Sequence, residues 1–71
     1  MYVLVVNCGS SSIKADVLDP RTGERKRTLR IERIGHPKGT ARIDGGAAEI
    51  IGALSHEEAL ARFLPSFSAA V

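Results

Sequence analysis

The sequence predicts an α/β fold, a short antiparallel β-meander followed by one helix. Three observations carry that expectation. Apolar and polar residues alternate over Ile13 to Leu18 and again around Leu29 to Ile31, as in half-buried strands. Clusters of Gly, Pro, Asn, Asp and Ser punctuate the chain between those segments. Further on, Ser55 is followed three residues later by Glu58, a capping box. Leu60, Phe63, Leu64 and Phe67 then fall at i, i+3, i+4 and i+7.

Tyr2 to Val6 is apolar throughout and mostly β-branched or aromatic, which predicts a first strand covered on both faces. Asn7 to Ser12 stacks turn-forming residues. Ile13 to Leu18 follows, with Ile13, Ala15 and Val17 on one face and Lys14 and Asp16 on the other, so the two segments predict a hairpin. Asp19-Pro20-Arg21-Thr22-Gly23 predicts a second turn, because Pro presets its own φ and Gly can take a positive one. Glu24 to Ile34 reads as a third strand. Gly35 to Gly39 breaks it, Thr40 to Ile43 is a short fourth candidate, and Asp44-Gly45-Gly46 breaks the pattern again. The helix begins at Ser55 and is expected to be short or kinked, since Pro65 lacks a donor and disfavours helix at Leu64. Pro65 to Val71 carries no stop signal, and residues 1–71 are expected to be a truncated, partial domain.

Seventy-one residues bound the chain to one small domain without a large core. Small self-sufficient folds add disulfides or metals, yet there is one Cys, no Cys/His cluster and 4% aromatic content, so support from further protein is expected. Apolar and charged fractions of 44% and 25% are those of ordinary soluble proteins. The opening apolar run is too short for a membrane span and has no basic leader, which predicts a cytoplasmic protein without a membrane partner. Cys8 cannot form an internal disulfide and is expected to be a small buried residue beside the turn.

Anion chemistry centres on Asn7-Cys8-Gly9-Ser10-Ser11-Ser12-Ile13-Lys14. If the flanking segments pair, Gly9 permits close backbone approach, successive amides can point into one concavity, and three hydroxyls can donate around it. Lys14 offers a compact positive charge, and Asn7 a neutral oxygen and amide. Neither the P-loop spacing nor the dinucleotide fingerprint is present, so on chemistry alone the segment reads as an ordinary connection.

Residues 3 to 14, Val-Leu-Val-Val-Asn-Cys-Gly-Ser-Ser-Ser-Ile-Lys, are similar to the amino-terminal signature of the acetate kinases. The acidic turn at Asp19, the string Glu32-Arg33-Ile34-Gly35 and the helix start His56-Glu57-Glu58-Ala59-Leu60 recur in the same order in that family. The resemblance implies the amino-terminal part of an actin-like (ribonuclease H-like) ATPase domain. It also implies a phosphotransferase that converts ATP and acetate to ADP and acetyl phosphate with Mg2+, homodimeric at full length. Carried over by position, Asn7 would hold the metal and phosphate, Lys14 would contact ATP phosphate, and Gly9, Ser10 and Ser12 would line the cofactor site; Ser11 is less clear, because neighbours in an extended segment point to opposite sides. Such positioning and charge neutralisation is what phosphoryl transfer requires.

The family's substrate-gripping Arg segment, its reacting Asp and Arg and its adenosine-binding segments do not occur in these residues. No catalytic residue is therefore assigned, and the chain alone is expected to lack activity. Alternatives are a propionate or butyrate kinase segment and a small non-enzymatic α/β binding module. Arg21, Arg25, Lys26, Arg27, Arg30 and Arg33 resemble a nucleic-acid stripe, but Glu24 and Glu32 interrupt it and no aromatic interleaves, so a solvated strand is expected instead. His36 and His56 have no ligand-spaced partners and read as surface residues.

Overall fold

In a computed structural model of the chain, which describes residues 1–68, five strands lie side by side in chain order, each antiparallel to the next. They are β1 (Val3–Cys8), β2 (Ile13–Leu18), β3 (Arg25–Glu32), β4 (Thr40–Ile43) and β5 (Glu49–Ile50), and one helix, α1 (His56–Ser68), follows. The expected meander and helix are thus present, while β5 has no counterpart in the hydropathy pattern. The apolar tail without a stop signal lies, from position 69 on, outside the described residues.

The alternation in β2 decides the layering. Ile13, Ala15 and Val17 are at most 1% exposed, and their register partners across β3 are Ile31, Leu29 and Arg27. Ala41 of β4, Ile51, and Ala59, Phe63 and Phe67 of α1 complete the buried cluster. The face of α1 toward the sheet is therefore the i, i+4, i+8 row of Ala59, Phe63 and Phe67. Leu60 and Leu64 of the predicted stripe sit half-buried at its rim. Full burial of a side chain such as Ile31 or Phe67 stabilises by about 1.5–3 kcal/mol.

The helix start has the anticipated capping box. The Ser55 amide donates to Glu58 Oε1 at 3.1 Å, and the Glu58 amide donates to Ser55 Oγ at 3.1 Å. Pro65 neither ends nor shortens α1, which runs thirteen residues through it. Phe63 and Phe67 on either side are both buried, and that burial holds the segment helical.

Two expectations about β1 are corrected. It is a sheet edge, not a strand covered on both faces, and Val3, Val5 and Val6 are 39–44% exposed. Helix α1 packs over β3, and along β1 it is Leu4 that packs against the core while its neighbours stay exposed. For the same reason Cys8, at the exposed end of β1, is a free and exposed thiol.

The second turn is built on Asp19, whose main-chain carbonyl accepts from the Gly23 amide at 2.7 Å. Its carboxylate accepts from the Arg21 amide at 2.9 Å and from the Arg21 guanidinium at 3.3 Å. The β3 to β4 connection needs glycine at position 39 for space. A Cβ there would stand 2.8 Å from the Gly52 carbonyl and 3.0 Å from the Arg33 carbonyl.

Candidate functional site

Register between β1 and β2 places Asn7 directly opposite Lys14 and Cys8 opposite Ile13, so the two strands are joined by the four residues Gly9 to Ser12. Asn7 and Cys8 therefore extend the first strand. The Gly9 amide closes the turn on the Ser12 carbonyl at 2.8 Å. A Cβ at position 9 would lie 2.8 Å from Ser12 Oγ, so any larger residue would turn that hydroxyl away. Here glycine keeps a hydroxyl in place as well as tightening the turn.

Two long-range bonds orient the turn. His56 Nε2 lies 2.8 Å from the Gly9 carbonyl, which can only accept, so the imidazole proton sits on Nε2. The Ile34 amide donates to the Ser11 carbonyl at 2.9 Å. With both oxygens tied to other elements, the turn keeps its donors free: the amides of Ser10 and Ser11 and the hydroxyls of Ser10, Ser11 and Ser12 have no partner among the described residues. Adjacent uncommitted amides of this kind form an anion-binding concavity. His56 is thus a surface residue with a backbone partner in the turn, and the exposed His36 ring accepts from the neighbouring Lys38 amide at 3.0 Å.

Asn7, Lys14, Arg30 and Arg42 occupy one register row across β1 to β4 on the face away from the core. Like charges side by side in a sheet repel. The middle cation is neutralised: Arg30 Nη1 donates to Asp16 Oδ1 at 3.0 Å and to the carbonyl of Leu29 at 2.9 Å. Lys14 has no carboxylate partner among the described residues. Beside it opens a hollow of about 300 Å³ whose polar lining is Ser11, Ser12, Lys14, Arg30, Glu32 and Arg33. The fold thus brings Ser12 and Lys14 to one hollow and Asn7 beside Lys14 in register, while Gly9 and Ser10 lie in the turn outside that lining.

The basic stretch is accounted for differently. Arg21 pairs with Asp19, Arg25 and Arg30 with Asp16, Lys26 with Glu24, and Arg27 with Asp44. Arg27 also stacks over Phe67, 5.2 Å from its ring centre. Five of the six cations of that stretch therefore lie beside a carboxylate, Arg33 being the exception among the described residues. Among the described residues no three His, Cys, Asp or Glu side chains gather as a metal site, and no helix is long and apolar enough to cross a membrane. Asn7 offers one neutral side-chain oxygen, a ligand of the kind a phosphate-bound magnesium ion would accept.

Comparison with known proteins agrees with this layout. The model of the acetokinase family matches residues 2–70. The acetate kinase of Dichelobacter nodosus is 39% identical over 62 residues, covering 83% of this chain and 16% of that protein. That of Mannheimia succiniciproducens is 41% identical over 69 residues, covering 82% and 15%. The crystal structure of a propionate kinase from Francisella tularensis superposes with a TM-score of 0.82 at 24% identity, covering 97% of this chain and 18% of that one. The five-stranded antiparallel sheet and helix are therefore the amino-terminal part of an actin-like ATPase fold. The chain spans 15–16% of the length of the two acetate kinases.

Proposed function

This chain belongs to the acetokinase family, and on that premise we propose that Asn7 to Lys14 is its contact with the phosphates of ATP. Lys14 meets a phosphate as a point charge, Ser10 and Ser12 donate hydroxyls, Gly9 keeps Ser12 Oγ in place, and Asn7 supplies the protein oxygen of a phosphate-bound Mg2+. The observation that carries this reading is the turn itself: its carbonyls are bound to His56 and Ile34, and its free amides and hydroxyls stand beside an unpaired Lys14. Bound Mg2+ would neutralise charge on the transferred group; the turn's task is to hold that group still while charge develops on it.

The reaction served is phosphoryl transfer between ATP and a carboxylate, with acetate as the proposed substrate, giving ADP and acetyl phosphate. Residues 1–71 would supply one wall of that site within a larger cytoplasmic enzyme, and are expected to show no turnover by themselves. The test is titration of the isotope-labelled chain with Mg-ATP. Amide signals from Gly9 to Lys14 are expected to move saturably. Lys14→Ala removes a charge-assisted contact of about 1.5–3 kcal/mol and weakens binding roughly ten- to hundredfold. A folded sample whose turn signals stay still would refute the assignment.

A further inference from the structure

Arg33 is the residue that neither the hydropathy pattern nor the proposed phosphate contact accounts for. It closes β3 in the left-handed region, at φ 54°. That conformation costs a side-chain-bearing residue about 1–2 kcal/mol, and it persists only where the surroundings over-determine it. They do so here. The Arg33 carbonyl accepts from the His36 amide at 3.0 Å, the next amide, Ile34, is bound to Ser11, and Gly35 donates to Leu54 at 2.8 Å.

The guanidinium that this backbone carries is exposed and lacks a carboxylate partner among the described residues, unlike all five basic residues from 21 to 30. It lines the same hollow as Ser11, Ser12 and Lys14. The Ile34 to Ser11 bond ties the strained corner directly to the turn, so Lys14 from β2 and Arg33 from the corner after β3 line one hollow. Were the corner only a reversal between β3 and β4, glycine would serve it better than arginine.

We propose that Arg33 is a second cationic contact for the phosphate-bearing anion held by the turn, and that the hollow between Lys14 and Arg33 selects for a chain of linked phosphates over a single one. This rests on the phosphate reading of the turn. The planar guanidinium can engage two oxygens at once, which the Lys14 ammonium cannot, so the pair suits an extended anion with oxygens on successive phosphorus atoms.

The experiment titrates the isotope-labelled chain with sodium pyrophosphate, and separately with inorganic phosphate, following the amides of Gly9 to Lys14. Wild type is expected to bind pyrophosphate at least tenfold more tightly than phosphate. Arg33→Gly relieves the backbone and removes the charge; it should melt no lower than wild type yet bind pyrophosphate about tenfold more weakly. Arg33→Asn, which also tolerates positive φ, serves if the glycine variant does not fold. Arg33→Lys keeps the charge but cannot engage two oxygens at once, so it should recover only part of the affinity, a partial rescue that a purely structural corner would not show. If Arg33→Gly and Arg33→Asn bind pyrophosphate like wild type while Lys14→Ala binds weakly, Arg33 has no such role and the turn's own role stands. If wild type binds neither anion, both readings fall.

Discussion

Replacing His56 with alanine takes away one hydrogen bond, that of Nε2 to the Gly9 carbonyl at 2.8 Å, and leaves the helix start otherwise whole. The Ser55 and Glu58 capping bonds do not use the imidazole, and alanine is the better helix former, so α1 itself should not weaken. The freed carbonyl belongs to an exposed residue and can turn to water, so the loss is that of an ordinary net hydrogen bond. About 0.5–1 kcal/mol is expected, a two- to fivefold shift in the equilibrium between the ordered turn and looser forms. The Gly9 amide, bonded to the Ser12 carbonyl inside the turn, is the reporter. Its hydrogen exchange should quicken two- to fivefold in His56→Ala, pyrophosphate binding should weaken by a similar factor, and His56→Gln, which retains an N–H donor, should lie between. Unchanged Gly9 exchange in the alanine variant would show that the bond does not organise the turn.

Two further outcomes test the scaffold. Ile31→Ala empties a fully buried site at the centre of the sheet and should cost about 2–5 kcal/mol, against the roughly 4–11 kcal/mol expected of a chain this long; a urea midpoint within a tenth of wild type would contradict the core described above. Hydrogen bonds from the Arg21 side chain and then the Arg21 amide hold the Asp19 carboxyl below its ordinary value of 3.8. Because the folded value is the lower one, Asp19 stabilises the fold above about pH 4 and that contribution fades as pH falls further. Asp19→Asn should therefore melt lower than wild type at pH 7 and differ less from it at pH 2.5, and parallel melting curves at both pH values would remove Asp19 from the account.

What could be read from the sequence was whatever depended on near neighbours. β2 and β3 follow from alternation, β4 from the turn residues on either side of it, and the start of α1 from a capping box whose two members lie three residues apart. Asn7 and Cys8 looked like turn residues because their side chains favour turns, but pairing with Lys14 and Ile13 kept them in the strand. β5 is two residues held by Thr40 and Ala41, too short to have a period. The apolar run of β1 suggested cover on both faces, yet composition does not reveal on which side of a sheet a strand's neighbours lie. At the site, the turn and Lys14 were visible as a local string. The contributions of Arg33 and His56 were not, since each reaches the turn from more than twenty residues away. Gly35 flagged a corner near Arg33, but nothing local marks an arginine that will sit at positive φ.

The ion pairs along 21–30 have a kinetic consequence. With those cations answered by Asp16, Asp19, Glu24 and Asp44, the basic residues without a carboxylate partner among the described ones are Lys14, Arg33, Lys38 and Arg42. Lys14 and Arg33 share one hollow, and Arg42 lines another that adjoins it at Arg30 and Glu32. Lys14, Arg33 and Arg42 thus gather at two adjoining hollows in whose linings Glu32 is the one carboxylate. An approaching polyphosphate is drawn toward that end of the sheet from about a Debye length away, about 8 Å at physiological salt. Added salt should therefore slow its arrival far more than it hastens its departure, which depends on the short contacts already made.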